Sequence, residues 1–161
     1  MSITSKRELF DREIRKLYHA EIEILDLHSD LSDAAASEEV RAIFGSHEGD
    51  TVDQIDRIEE IFVVLDMEPR EQGSPIMEGL LAEKDQFVGE VEDDGLRDLD
   101  VISIGMINER LEITLLDRLL LLTEEIGLSE PTAENLEANR SEAQAALERM
   151  QQFLEDRRIN G

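Results

Sequence analysis

The 161-residue chain is predicted to be all-α, an antiparallel bundle of four long helices with one additional short helix, in a single domain spanning residues 1–161. Three observations carry this expectation. Apolar residues make up 40% of the chain but aromatics only 4%, with no Trp, so the core must be aliphatic and a sheet sandwich is disfavoured. The only prolines are Pro69, Pro75 and Pro131, which leaves long stretches without a helix breaker. Apolar residues recur at steps of three and four, the spacing that keeps side chains on one face of a helix.

The first helix is expected from Ser5 to Ala35, entered through Thr4 or Ser5. The second runs from the N-cap Ser37, followed by Glu38 and Glu39 at the positive end of the helix dipole, to Met67, and Pro69 stops it. After a connection over Arg70 to Ser74, a short helix begins with Pro75 in its first turn and reaches Glu90. Glu92 to Gly95 reads as a solvated acidic turn. The next long helix starts near Asp98 and ends at Gly127, and the last follows Ser129 and Pro131 and continues to Arg158.

Asp and Glu number 40 against 16 Lys and Arg, giving a formal charge of −24. Phosphate-mediated nucleic-acid binding and an anionic membrane surface are therefore excluded as partners. The excess is spread along the chain and only three of the basic residues are Lys, a pattern that resembles proteins of salt-loving organisms, where ionic strength screens self-repulsion. The absence of Cys removes disulfides, thiolate chemistry and Cys-ligated metals, leaving carboxylate and imidazole as the only strong ligands. The N-terminus has no secretory pattern and no apolar run, Leu119 to Leu122 included, is long enough to span a bilayer, so the expected location is the cytoplasm. Neither H-E-x-x-H nor G-x-x-x-x-G-K occurs, and three scattered histidines support no Ser-His-Asp constellation.

The informative feature is what interrupts the apolar stripes. On the first helix Glu21 and His28 break the row Phe10, Ile14, Leu17, Ile24, Leu31; on the second His47, Thr51 and Gln54 stand consecutively on the inner stripe. The helix after Asp98 turns Glu109 and Glu112 inward, and the last helix carries Leu136, Arg140, Ala143, Leu147 and Met150, with Glu142 on its flank. Burying an ionised carboxylate without a partner costs several kcal/mol, so this waist needs cations, protons or hydrogen-bond donors. A dinuclear iron or manganese centre would satisfy it, since such sites take a Glu from each of two helices and Glu-x-x-His from the other two. No Glu-x-x-His occurs here; the chain has instead His47-x-x-Asp50 and Glu109-x-x-Glu112.

The blocks L-Y-H-A-E (Leu17 to Glu21), H-E-G-D-T (His47 to Thr51), R-I-E-E-I-F (Arg57 to Phe62), M-E-G-L-L (Met77 to Leu81) and E-R-L-E-I (Glu109 to Ile113), in this order and followed by the last helix, resemble the YciE/YciF-like family of ferritin-like stress-response proteins. The resemblance implies a ferritin-like bundle, a dimer able to hold a dinuclear metal centre, with no settled activity. It implies Glu21, His47, Asp50, Glu109, Glu112 and Glu142 as the residues of the metal shell. The chain departs from the family pattern. Arg110 and Leu111 stand where E-H-Y-E is usual, Ser141 precedes Glu142 where a Glu pair is usual, Asp50 replaces a Glu, and Gln54 stands where His is common.

Two functions are therefore expected. One is a stress-associated bundle with a weak or vestigial dinuclear iron or manganese site formed by the inward carboxylates and one His, at most oxidising ferrous iron or consuming peroxide. The other is a metal-free, non-catalytic scaffold or interaction protein acting as a homodimer, its waist closed by Arg110, Arg140 or Arg57. The run Ile113 to Leu122, apolar around most of the helix, suggests the dimer face or else a centrally placed helix. His28 reads as an ordinary core hydrogen-bonding residue and His19 as exposed.

Overall fold

Each helix begins where a side chain can take up an N–H that the helix leaves free. Ser5 accepts from the backbone of Glu8 while the Glu8 side chain reaches back, a reciprocal capping box. Ser37 accepts from Val40 N and Asp93 from Leu96 N. In the computed structural model, which describes residues 2–160, these caps open α1 (Lys6–Ala34), α2 (Glu38–Val64) and α4 (Asp94–Ile126). Between them lie α3 (Pro75–Phe87), with Pro75 in its first turn, and a 3₁₀ turn (Val88–Glu90); α5 (Glu130–Asn160) closes the chain. Gly127, at φ 78° and ψ 41°, ends α4 in the left-handed conformation that glycine adopts without strain.

The all-α expectation holds, with no strand among the described residues and no helix long and apolar enough to cross a membrane. The second helix ends at Val64 and not at Met67, the last begins at Glu130, ahead of Pro131, and the largest correction is at the fourth. The fourth helix starts at Asp94, not near Asp98, because the Asp93 carboxylate caps it inside the stretch expected to be a solvated turn. Asp98 instead lies buried within α4 and accepts from the backbone N–H groups of Ala36 (2.7 Å) and Ser37 (3.1 Å), which ties the α1–α2 turn to the start of α4.

Helix α1 packs against α2 and α4, and α5 against α4 and α2. The α1–α2 and α4–α5 connections are tight, whereas residues 65–93 form one long crossover. The crossover is fastened to α1 by the Gln72 N–H to the Arg15 carbonyl (3.1 Å) and by His19 beside Glu71 (3.0 Å), so His19 is partly covered. A four-helix bundle with a single long crossover is the ferritin-like arrangement.

The apolar core is split in two. Phe10, Ile14, Leu17, Ile58, Ile61, Phe62, Leu116 and Leu119 belong to one cluster. Ile24, Leu27, Leu31, Val40, Phe44, Met77, Ile102 and Met150 belong to the other. Leu116, Leu119 and Leu122 of the apolar run on α4 turn into the bundle while Leu121 faces solvent. On α5 the inward polar residue is Asn139, not Arg140. Arg140 reaches out to Asp117, and Arg110 is exposed, so neither closes the waist.

Packing is tightest where α4 crosses Phe44. A Cβ added to Gly105 would lie 2.6 and 2.7 Å from two ring carbons of the fully buried Phe44 and 3.0 Å from the Met150 sulfur. Gly105→Ala should therefore destabilise the protein by about 1–2 kcal/mol despite the better helix propensity of Ala. A fall of several degrees in Tm, by about 2–4 °C per kcal/mol, checks this; an unchanged Tm would mean the ring retreats freely.

Candidate functional site

Between the two apolar clusters every long helix contributes polar side chains at one level. Glu21 comes from α1, His47, Asp50, Thr51 and Gln54 from α2, Asn108, Glu109 and Glu112 from α4, and Asn139 and Glu142 from α5. The helical period alone puts Glu109 and Glu112 on one face, and packing of α4 on α1 brings Glu21 to them. All three are nearly inaccessible, with 1–3% of their surface exposed.

None of the three is paired with an arginine or a lysine. Glu112 has both of the others as its neighbours, so the row runs Glu21, Glu112, Glu109. Glu21 Oε2 and Glu112 Oε1 are buried without a partner, and Asn108 lies beside Glu112 with neither end of its amide in a hydrogen bond of good geometry. Burial, reinforced by the charge of the neighbouring carboxylates, pushes Glu21 and Glu112 well above the usual carboxylate range. Burial also raises Glu109, to about 8, against the opposing pull of its Glu112 hydrogen bond and the Arg149 charge.

His28 completes this inner group. Its Nδ1 is 3.4 Å from the Thr51 hydroxyl, and its buried Nε2 has no hydrogen-bond partner and stands 3.8 Å from Glu109 Oε1. The expectation of an ordinary core histidine is half met, because one nitrogen bonds Thr51 while the other is aimed at the carboxylates. The signal was on the first-helix stripe, where His28 follows Glu21 two turns later. Burial lowers its pKa to about 4, so the ring is neutral and able to accept.

The side of the waist formed by α2 and α5 is already neutralised. Glu142 accepts from Arg57 (2.9 Å) and Gln54 (2.9 Å), and Arg57 also donates to Asn139 (3.1 Å). Of the three arginines considered from the sequence, Arg57 alone serves the waist. Arg149, unremarked in the sequence, brings one guanidinium nitrogen to 3.1 and 3.0 Å from the two ring nitrogens of His47. In the ring plane, a point this far from both nitrogens would collide with the ring carbons, so the guanidinium lies over the imidazole face. Burial first, and then the Arg149 charge, lower the His47 pKa to about 3. Asp50, half exposed, is 3.6 Å from His47 Nδ1.

Glu21, Glu109, Glu112 and His28 fit a hard divalent cation in chemistry, since they offer carboxylate oxygens and a neutral imidazole, with Glu21 Oε2, Glu112 Oε1 and His28 Nε2 left without a partner. They are not drawn up around one. Among the described residues, no three His, Asp or Glu side chains stand in metal-coordinating positions, and the space between the inner and outer groups is about 10 Å³, close to one water-sized sphere.

Glu13, also fully buried on α1, has the opposite fate. Burial pushes its carboxyl up, but hydrogen bonds from Arg12 and Lys16 and the charges of Lys16 and Arg118 outweigh this, so it stays ionised below the usual range. It was invisible as a core residue because charged side chains surround it in the sequence.

The buried carboxyls dictate a pH dependence. Glu109 holds a proton up to about 8 when folded but releases it near 4.5 when unfolded, so its stabilising effect is present below 4.5 and is lost as pH rises toward 8. The two imidazoles act oppositely, since their folded pKa values lie below the unfolded 6.5, and their effect is complete above that pH. Metal-free protein should thus lose about 1.4 kcal/mol per pH unit per proton between pH 6.5 and 8. Glu109→Gln should flatten this slope in denaturant titrations across that range; an equally steep slope in the variant would refute the role of Glu109.

A family model described as a domain of unknown function, DUF892, matches residues 5–160. Among solved structures, YcfI, a presumed structural protein from Rhodopseudomonas palustris, superposes with a TM-score of 0.90 at 25% identity, over 93% of this chain and 95% of that one. The E. coli stress protein YciF superposes with a TM-score of 0.87 at 24% identity, over 94% of this chain and 95% of its own. No curated protein matches the sequence significantly. With the family model covering nearly the whole chain and the bundle superposing over 94% of it, the protein belongs to the DUF892 family of YciF-like helical bundles.

Proposed function

We propose that this YciF-like bundle is a stress-associated protein whose waist binds a divalent ion, iron or manganese, weakly. The observation that supports this most is the set of buried, unpartnered donor atoms, Glu21 Oε2, Glu112 Oε1 and His28 Nε2, gathered at one level of the core. A folded core retains unsatisfied carboxyls at a cost in stability, which a function repays. Glu21, Glu109, Glu112 and His28 would hold the ion, with His47, Asp50 and Glu142 forming the outer side. When bound, a redox-active ion would supply ferrous-iron oxidation or peroxide consumption. The chain's own part is to exclude bulk water, keep both imidazoles neutral and carry protons along the row Glu21, Glu112, Glu109.

A second reading, a metal-free homodimeric scaffold, is favoured by the guanidinium groups of Arg57 and Arg149, which already occupy the outer side. In either reading the exposed Leu121 of α4 marks the face for a second copy, and the acidic surface suits work at high salt in the cytoplasm.

Purification in molar KCl without chelator, followed by anaerobic loading with ferrous or manganous ion, separates the two. Elemental mass spectrometry should find bound metal that Glu21→Ala abolishes, and loading should raise the Tm of the wild type only. Absence of metal after loading, with unchanged Tm, would leave the scaffold.

A further inference from the structure

The charges at the waist count the ions it can take. Arg57 cancels Glu142, at 2.9 Å. The carboxylates then left are Glu21, Asp50, Glu109 and Glu112, accompanied by two imidazoles, His28 and His47, whose ring centroids are 5.6 Å apart. Four carboxylates and two imidazoles are the donor tally of a dinuclear bundle site, where two divalent ions bring the charge to zero. This chain reaches that tally without a single Glu-x-x-His pair, because His28 comes from the α1 stripe.

One cation is already there. Arg149 projects from α5 over His47, and its other terminal nitrogen is held 3.2 Å from the Ser46 hydroxyl, itself bonded to the Ile43 carbonyl at 3.1 Å. With its charge included, the four carboxylates amount to −3. One divalent ion plus one proton balances this, whereas two divalent ions leave an excess of +1 beside a guanidinium that already carries a full positive charge.

We propose that Arg149 is a resident cation standing in for the second metal ion, so that the site takes a single divalent ion on Glu21, Glu109, Glu112 and His28. The inference rests on the metal reading above and deepens it. Arg149 is thus a specificity-determining residue that sets stoichiometry. Arg149 is itself an exposed residue outside both apolar clusters, so replacing it leaves them intact.

The test is an ion count. Wild-type protein, Arg149→Gln, Arg149→Lys and Glu21→Ala are equilibrated with excess manganous ion, freed of unbound metal and measured by elemental mass spectrometry, with circular dichroism confirming helicity. The expected result is about one ion per chain in the wild type and in Arg149→Lys, about two in Arg149→Gln and none in Glu21→Ala. Two ions in the wild type, one in Arg149→Gln, or two in Arg149→Lys would overturn the inference while leaving the metal site standing. No ion in the wild type or in Arg149→Gln would overturn the metal reading, and this inference with it.

Discussion

The structure is organised around three buried glutamates that no arginine or lysine neutralises. An ionised carboxylate in a bundle core is unfavourable by several kcal/mol unless it is paired, protonated or bound to a cation. Glu21, Glu112 and Glu109 stand against one another, and burial together with their mutual charge raises all three above the usual carboxylate range, where α1 packs on α4. This row also divides the apolar core into two clusters, one on each side of the waist. Polar residues inside helical bundles are known to specify register at a cost in stability, and this waist meets that description.

The scarcity of basic residues sharpens the contrast with Glu13. Both Glu13 and Glu21 lie on α1 and both are buried, about two turns apart. Glu13 stands near the bundle surface, where Arg12, Lys16 and Arg118 can snorkel to it while keeping their own heads partly in water. Glu21 lies too deep for that, and bringing a guanidinium to it would bury a second charge. Depth, not residue type, therefore decides which glutamate is ionised. The same logic explains why Arg57 and Arg149 meet the waist only on its α2–α5 side, where the helices leave a way out to solvent.

The family likeness extends over the fold, while the chemistry of the waist belongs to the individual chain. Aliphatic stripes of the right period tolerate extensive substitution without loss of the bundle. A site of four carboxylates and two imidazoles does not. Substituting one ligand or adding one guanidinium changes its charge by a full unit, and in a water-poor cavity that decides occupancy.

Local periodicity determined much by itself. Helix number, the Ser5 and Ser37 caps, the Gly127 stop and the inward orientation of Glu21, His28, His47, Glu109 and Glu112 follow from spacings of three and four and from cap chemistry, which act within a few residues. The start of α4 was misplaced because an aspartate serves equally as a solvated turn residue and as a cap. Partnership was not legible. That Arg149 covers His47, that Arg118 reaches Glu13 from 105 residues away, that Asn139 replaces Arg140 inside and that His28 faces Glu109 depend on how far each helix slides and rotates against its neighbours. Those shifts are set by close packing such as Gly105 on Phe44 and by the single long crossover. A stripe therefore shows which way a carboxylate points, and only the packed bundle decides what stands opposite it.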